Sequence, residues 1–88
     1  MTTNAIKVKY FALLSERFGL REEMVELGDA ITSLSTLKQH LGQRGDVWKQ
    51  YLLEFKEIAV AVNQAVELED VTLKAGDEVA FFPPVSGG

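Results

Sequence analysis

Alternation of apolar and polar residues predicts a sheet of several strands, since a two-residue period places every second side chain on one face. Segments with this pattern, or with a short apolar run, are Ala5–Phe11, Glu22–Leu27, Ile58–Val62 and Glu78–Phe82. In the first segment Ile6, Val8 and Tyr10 share a face. In the last segment Val79 and Phe81 do so. The unbroken apolar run of the third segment predicts a strand in the centre of the sheet.

Helical spacing of leucines predicts one main helix. Leu34, Leu37 and Leu41 form an apolar stripe that needs a sheet to cover it. Ser33 is a suitable N-cap for this helix, which should run to about Gln43. Shorter pieces are predicted at Ala12–Phe18, as a helix, and at Val47–Leu53, as a second helix or a turn.

Turn-forming residues separate these segments and complete the predicted architecture. Turns are expected at Gly28-Asp29, Asn63-Gln64 and Lys74–Asp77, with a short extended piece around Val66. The resulting order of elements predicts an α+β domain in which a mixed sheet packs on one main helix. Pro83 and Pro84 should end the last strand because they lack an N–H group. We therefore expect a domain over residues 1–82 and a flexible tail over residues 83–88.

Composition narrows the possible functions. Thirteen acidic and nine basic residues give a net charge of −4, and the basic residues form no run. Nucleic-acid binding is therefore disfavoured, and a basic protein partner is more natural. The chain has no cysteine, which excludes disulfides, thiolate zinc sites and a cysteine nucleophile. With no signal peptide and no apolar run of about 20 residues, we expect a cytoplasmic protein that does not enter a membrane.

No cluster of residues predicts a catalytic centre within the chain. His40 is the single histidine and lacks a second metal ligand at a suitable spacing, so a packing role is expected. The carboxylates of Glu22-Glu23 and Glu67–Asp70 are expected to be solvated. Neither a Gly-x-Ser-x-Gly motif nor a glycine-rich phosphate loop is present. We therefore expect no metal and no nucleotide cofactor on this chain.

The C-terminal segment has the most suggestive chemistry. It reads Phe81-Phe82-Pro83-Pro84-Val85-Ser86-Gly87-Gly88. The six residues after Phe82, extended at about 3.4 Å each, would reach about 20 Å. Glycines lack a Cβ and could thread a narrow channel in a partner. The reactive group at the tip would be the α-carboxylate of Gly88, so we expect a functional tail rather than a frayed terminus.

This segment carries a resemblance to a known family. Residues 76–88, GDEVAFFPPVSGG, closely resemble the C terminus of the small subunit of molybdopterin synthase, a ubiquitin-like sulfur carrier. The IKVKYFA stretch at residues 6–12 and the AVNQ stretch at residues 61–64 match the same pattern. Residues 46–57 are less recognisable, and the family often has Thr in place of Ser86. The resemblance implies a β-grasp fold, in agreement with the predicted order of elements.

The resemblance also implies a covalent role for Gly88. An activating enzyme in trans would use ATP to adenylate its carboxylate, and the acyl-adenylate would accept sulfur to become a thiocarboxylate. The tail, including Val85, Ser86 and Gly87, would then enter the large synthase subunit and donate sulfur to a pterin precursor, forming the dithiolene that binds molybdenum. The chain would bind no cofactor, would not be catalytic alone, and would form a heterotetramer with the large subunit.

Strand parity predicts where a partner docks. Phe11 follows the inward-facing Tyr10 and should point to the opposite face. Phe82 follows the inward-facing Phe81 and should do the same. Two outward aromatic residues on neighbouring strands would form an exposed apolar patch, although the short helix could instead cap Phe11. The family's partner surface matches this patch. The expected interface comprises Phe11, Val66, Phe82, Pro83 and Pro84.

Three other functions remain open from the sequence. A sulfur carrier for thiazole synthesis or for transfer-RNA thiolation would use the same chemistry, although the FFPPVSGG ending favours the molybdopterin branch. A ubiquitin-like modifier conjugated to lysines would share the tail and its activation. A β-grasp binding module with an inert tail belongs to a different class, and loss of Gly88 would leave its function intact.

Overall fold

A computed structural model describes residues 4–55 and 57–83 of the chain. Its strands are β1 (Ala5–Tyr10), β2 (Glu22–Glu26), β3 (Ala59–Val62), β4 (Ala65–Val66) and β5 (Glu78–Phe82). Its helices are α1 (Leu13–Phe18), α2 (Leu34–Gly42) and α3 (Asp46–Lys49), and a π-helical segment, Gln50–Glu54, follows α3 directly. The predicted α+β architecture and its order of elements are confirmed.

The five strands form one mixed sheet in the order β2-β1-β5-β3-β4. β1 and β5 are parallel, with Tyr10 opposite Phe81, and the other neighbouring pairs are antiparallel. The central strand is therefore β5, and the prediction that the apolar run Ile58–Val62 forms the centre is wrong. β3 is an interior strand, but its outer neighbour β4 has only two residues. An apolar run indicates that a strand is buried on both faces, but it does not indicate the position of the strand in the order of the sheet.

Helix α2 packs its leucine stripe against one face of the sheet. Leu34, Leu37 and Leu41 are buried, as their spacing predicts. Ser33 caps the helix: its hydroxyl accepts a hydrogen bond from the amide of Thr36, and the Thr36 hydroxyl accepts one from the amide of Ser33. The inward residues of β1, β3 and β5 complete the core. They are Ile6, Val8, Tyr10, Val60, Val62, Val79 and Phe81.

The segment predicted as a second helix or a turn is helical and closes one end of the core. The Trp48 ring on α3 stacks on Phe18 of α1 at a centroid distance of 3.9 Å. Tyr10 meets the Trp48 ring edge-on at 5.5 Å, so this aromatic group ties β1 to both short helices. Leu53 of the π-helical segment packs over Gly42, where a Cβ would lie 2.6 Å from the Leu53 Cδ1 atom. A larger residue at position 42 would therefore push the Leu53 side chain aside.

Two negative findings concern the described residues. Among residues 4–55 and 57–83, none of the helices has the length and apolar character needed to cross a membrane. Within the same ranges, histidine, aspartate and glutamate side chains nowhere gather in a group of three or more that could hold a metal ion. His40, the single histidine, lies exposed on α2.

Candidate partner-binding face and tail exit

The side of the sheet opposite α2, here called the open face, is formed by the residues that alternate with the core. Strand register brings its members into rows across the sheet. One row runs Glu22, Lys9, Ala80, Ala61 and Val66, and the next toward the end of β5 contains Phe82 and Ala59. The open face thus has a charged half over β2, β1 and the start of β5, where Glu78 lies, and an apolar half over the end of β5, β3 and β4.

The apolar half combines small residues with exposed large ones. Ala61 is opposite Val66 on the edge strand β4, and the Val66 side chain is 60% exposed. Phe82, opposite Ala59, is half-buried. Phe11, one residue beyond the β1–β5 pairing, is 47% exposed. Alanines therefore form a shallow floor between larger apolar groups, a surface that a complementary apolar partner could cover.

Strand parity predicts that Phe11 points to the open face, and its exposure of 47% agrees with that prediction. Phe11 lines a surface cleft of about 360 Å³ with the open-face residues Lys9 and Glu22, and with Tyr10, Ala12, Ser15 and Arg21. Helix α1 begins at Leu13 and leaves the ring exposed, so the alternative in which the short helix caps Phe11 is not what the structure has. The binding role of Phe11, Val66 and Phe82 stays a prediction.

Two ion pairs lie on the open face beside its apolar half. Lys9 Nζ lies 2.6 Å from Glu78 Oε1, and Lys7 Nζ lies 3.9 Å from Glu22 Oε2. The hydrogen bond to Glu78 raises the pKa of Lys9 above its ordinary value. Both pairs remain accessible to water, so they contribute little to the stability of the fold. Glu26, opposite Ala5, is exposed on the same face, so a partner that covers the apolar half meets a border with a small acidic excess.

A strained turn follows β1 and presents Phe11. Ala12 has φ 53° and ψ −127°, the geometry of the first central residue of a type II′ turn, a position that glycine normally occupies. The Leu14 amide donates to the Phe11 carbonyl at 3.0 Å and closes the turn. Backbone conformations of this kind cost on the order of 1–3 kcal/mol in a residue with a Cβ. The surrounding hydrogen bonds must therefore hold the turn in place.

The last described residues of the chain lie in the middle of the sheet. β5 ends at Phe82, between β1 and β3, and Pro83 follows as a half-buried residue. The predicted tail residues Pro84, Val85, Ser86, Gly87 and Gly88 lie outside the described residues. The first tail residue thus emerges beside the apolar half of the open face, so one partner could contact both.

A polar network on the helix side was missed by the sequence reasoning. The Tyr10 hydroxyl donates to Glu23 Oε2 at 2.7 Å, and Arg44 binds the same carboxylate through both terminal nitrogens at 2.7 and 2.9 Å. Arg44 also lies 4.7 Å from the centre of the Trp48 ring. Glu22 is exposed as expected, but the expectation of a solvated Glu23 is wrong, because Glu23 faces the same side as Val8.

Burial and hydrogen bonding have opposite effects on the pKa of Glu23. Burial alone would raise the pKa of Glu23, but the hydrogen bonds from Arg44 and Tyr10 outweigh it and hold that pKa below 4.5. Burial, together with the bond to Glu23, raises the pKa of the Tyr10 phenol. The bond to Glu23 likewise raises the pKa of Arg44. The network is thus an ion pair with a neutral tyrosine as a third member.

Hydrogen bonds join two of the stretches that carried the family resemblance. Asn63, in a left-handed conformation with φ 51°, donates to the buried carboxylate of Asp77 at 3.0 Å and accepts from the amide of Glu78. Asp77 also accepts from the amide of Lys74, and these bonds lower its pKa. The contacts tie the β3–β4 turn to the start of β5. Their role is to fix the strand that leads to the tail.

The remaining acidic segment has a local structural role. Asp70 is exposed, and its two carboxylate oxygens accept from the amide and the hydroxyl of Ser35, both at 2.9 Å. The backbone hydrogen bond from Ser35 lowers the pKa of Asp70. Asp70 therefore supports the first turn of α2, where a negative charge is favourable. The other carboxylates of this segment, Glu67 and Glu69, take no part in these bonds.

Comparison with known proteins identifies the family. A family model described as the ThiS family matches residues 8–88. The chain belongs to the ThiS family. Over 83 residues it is 41% identical to the molybdopterin synthase sulfur carrier subunit of Escherichia coli (strain K12) and 37% identical to the protein of that name from Haemophilus influenzae. Each alignment covers 94% of this chain and 99% of the relative, and the resemblance stated from the sequence is confirmed.

A solved structure confirms the fold independently. The solution structure of small archaeal modifier protein 1 from Methanosarcina acetivorans matches with a TM-score of 0.79 at 25% sequence identity. The match covers 100% of both chains. The predicted ubiquitin-like β-grasp fold is therefore confirmed.

Proposed function

We propose that this chain is the sulfur carrier subunit of a molybdopterin synthase. The observation that carries the proposal is the near full-length identity to relatives of that name, together with a family match that continues through residue 88. The fold supports it, because the central strand β5 leads directly to the tail and lies beside an apolar surface. Within the family, this placement suits a chain that delivers a group on its C terminus.

In the proposed reaction, the carboxylate of Gly88 is the covalent carrier. A carboxylate is a poor acyl electrophile, so a partner enzyme activates it by attaching AMP from ATP and releasing pyrophosphate. Sulfide (HS⁻) then attacks the acyl carbon and AMP leaves, which gives a thiocarboxylate on Gly88. In the synthase, this sulfur attacks the pterin precursor, and water hydrolyses the resulting thioester at the Gly88 carbonyl, which restores the carboxylate. Gly87, Ser86 and Val85 serve as the narrow arm that enters the partner.

Two partner proteins follow from this proposal. The large synthase subunit covers the apolar half of the open face, formed by Phe11, Val66 and Phe82 with Pro83 and Pro84 at its edge, and two such pairs form a heterotetramer. The adenylating enzyme supplies ATP chemistry in trans, and the chain itself holds no cofactor. The whole cycle takes place in the cytoplasm.

The decisive experiment measures the mass of the C terminus. Intact-mass spectrometry of the protein from its native host should show a fraction heavier by about 16 Da, the difference between sulfur and oxygen. Deletion of Gly88 should abolish that fraction and also abolish molybdopterin formation in a deficient strain. Deletion of Thr3 at the other end of the chain is the matched control and should leave both intact. Restored cofactor synthesis by the chain without Gly88 would overturn the proposal.

A specific observation supports a second candidate function. The structural match that covers both chains completely is to a protein named as a modifier. A modifier would use the same adenylated Gly88 but would transfer it to a lysine amine, which gives an isopeptide. Mass spectrometry of cell extract for peptides with a Gly-Gly remnant on lysine would detect this product. The remnant on other proteins, lost on deletion of Gly88, would support the modifier function.

A further inference from the structure

The turn at Ala12 has a conformation that its side chain does not favour. Among the non-glycine residues of the described ranges, Ala12 has positive φ together with Asn63 and Gln64, but those two form the turn between β3 and β4, where such angles are usual. Ala12 stands instead between a strand and a helix, immediately after the exposed Phe11. Strain of this kind concentrates at sites where a fixed geometry serves a function.

Hydrogen bonds hold the turn from both sides. Toward the sheet, the Phe11 amide donates to the Phe81 carbonyl at 3.1 Å, which continues the β1–β5 ladder by one bond. Toward the helix, the Ala12 carbonyl accepts from the amide and the hydroxyl of Ser15, at 3.1 and 2.8 Å, and from the amide of Glu16 at 3.4 Å. The peptide groups on either side of the Ala12 α-carbon are therefore fixed.

The consequence of this fixation is the placement of one ring. The reversal at Ala12 sends α1 to the helix side of the sheet, where Leu14 is buried, while Phe11 stays exposed and its amide remains bonded to Phe81 of β5. If residue 12 had an ordinary strand or helix conformation, both helix α1 and the Phe11 side chain would take other directions. The Ala12 side chain itself is exposed. What matters at this position is the backbone conformation.

We propose that Ala12 is a positioning residue for partner binding: its constrained turn preorganises Phe11 for the large synthase subunit. This inference rests on the proposed function, because it requires that subunit to contact Phe11. Preorganisation raises affinity by removing the entropy cost of ordering a side chain on association. The affinity should therefore follow the rigidity of residue 12 and not the stability of the domain.

Two changes at position 12 separate rigidity from stability. Ala12→Gly permits the same turn without strain but widens the conformations open to the unbound chain. A chemically assembled chain with D-alanine at position 12 prefers positive φ and keeps the turn rigid. We expect the glycine variant to keep or raise its thermal midpoint, because relief of the strain offsets the greater freedom of its unfolded chain. It should bind the large subunit about two- to tenfold more weakly, as expected for one side chain left to be ordered. The D-alanine chain should have a higher midpoint and at least the original affinity.

A matched control uses the turn at the other end of β5. Ala75 follows Lys74 in the turn closed by the Asp77 amide at 3.0 Å, and it lacks positive φ. Ala75→Gly makes the same chemical change in an exposed turn away from Phe11 and should leave affinity unchanged. Calorimetric titration with the large subunit and thermal unfolding give the two readouts.

The outcomes distinguish this inference from the function on which it rests. Equal affinity of the original chain and the Ala12→Gly variant would overturn the positioning role. Loss of affinity in the D-alanine chain would overturn it as well, because that chain keeps the turn. Failure of the original chain to bind the large subunit would instead contradict the proposed function. A purely structural role predicts that affinity falls only when the thermal midpoint falls.

Discussion

The two faces of the sheet differ in burial, so that neighbouring residues of one strand have different surroundings. Phe81 is fully buried under α2 and the short helices, whereas Phe82, the next residue on β5, lies half-buried on the open face. Each face has an ion pair near 2.7 Å: Glu23 with Arg44 on the covered face, and Lys9 with Glu78 on the open face. The covered face uses its groups to hold the domain together. The open face keeps apolar groups accessible, as a surface that binds a partner does.

The largest expected effect separates the two phenylalanines. Phe81→Ala removes a fully buried ring from the core and should lower the free energy of unfolding by about 3–5 kcal/mol. Phe82→Ala should lower it by less than about 1 kcal/mol, because that ring is only partly buried. Urea unfolding followed by Trp48 fluorescence and by circular dichroism gives both values. Equal losses would contradict the assignment of different roles to the two faces.

The next prediction tests the open face as a binding surface. Phe82→Asp places a charge in the apolar half and should weaken binding to the large subunit by at least about 30-fold, the effect of losing an interface hot spot. Its circular dichroism spectrum should not change. Met24→Asp is the matched control: Met24 is 59% exposed on the same face but on the far strand β2, and its change should leave affinity nearly intact. Calorimetry that finds unchanged affinity for Phe82→Asp would remove the proposed interface.

A smaller effect is expected from the network on the covered face. Glu23→Gln breaks the ion pair with Arg44 in a half-buried site and should lower the free energy of unfolding by about 1–2 kcal/mol near neutral pH. Glu22→Gln is the matched control on the open face, where the ion-pair distance is 3.9 Å, and should change stability little. Chemical unfolding of the three proteins tests this difference.

The same network predicts a pH dependence. The folded-state pKa of Glu23 lies below its ordinary 4.5, so the carboxylate contributes stability that is present above pH 4.5 and is lost as pH falls through the folded-state pKa. The difference in stability between the original chain and Glu23→Gln should therefore be constant from pH 6 to 8 and should shrink below about pH 4.5. A difference that grows on acidification would contradict this assignment.

Local patterns predicted most of the fold because its signals are local. The two-residue period of β1 and β5 placed Tyr10 and Phe81 inside and Phe82 outside, and Ser33 marked the start of α2. The position of a strand within a sheet depends on pairing between distant segments, which apolar content does not report. This is why the run at Ile58–Val62 suggested the wrong central strand.

The candidate site was predictable only in part, for a similar reason. Glu23 lies in a charged stretch that reads as solvated, and its partners Tyr10 and Arg44 are 13 and 21 residues away. Glu23 lies two residues before the buried Val25, so the alternation along β2 was the available signal for its inward direction. At Ala12, by contrast, nothing in the residue type indicates positive φ, because alanine rarely adopts it. Contacts made after folding impose that conformation.

The smallest effect is expected at the ion pair of the open face, and it sharpens the comparison with Glu23. Lys9 and Glu78 are as close as Glu23 and Arg44, and the two cations are equally exposed, but Glu78 keeps 27% of its side-chain surface in water against 18% for Glu23. Solvent screening then cancels most of the attraction. Lys9→Gln should leave the thermal midpoint unchanged within error, and Glu78→Gln should behave alike. A fall in midpoint as large as that of Glu23→Gln would show that distance, and not burial, decides the strength of these pairs.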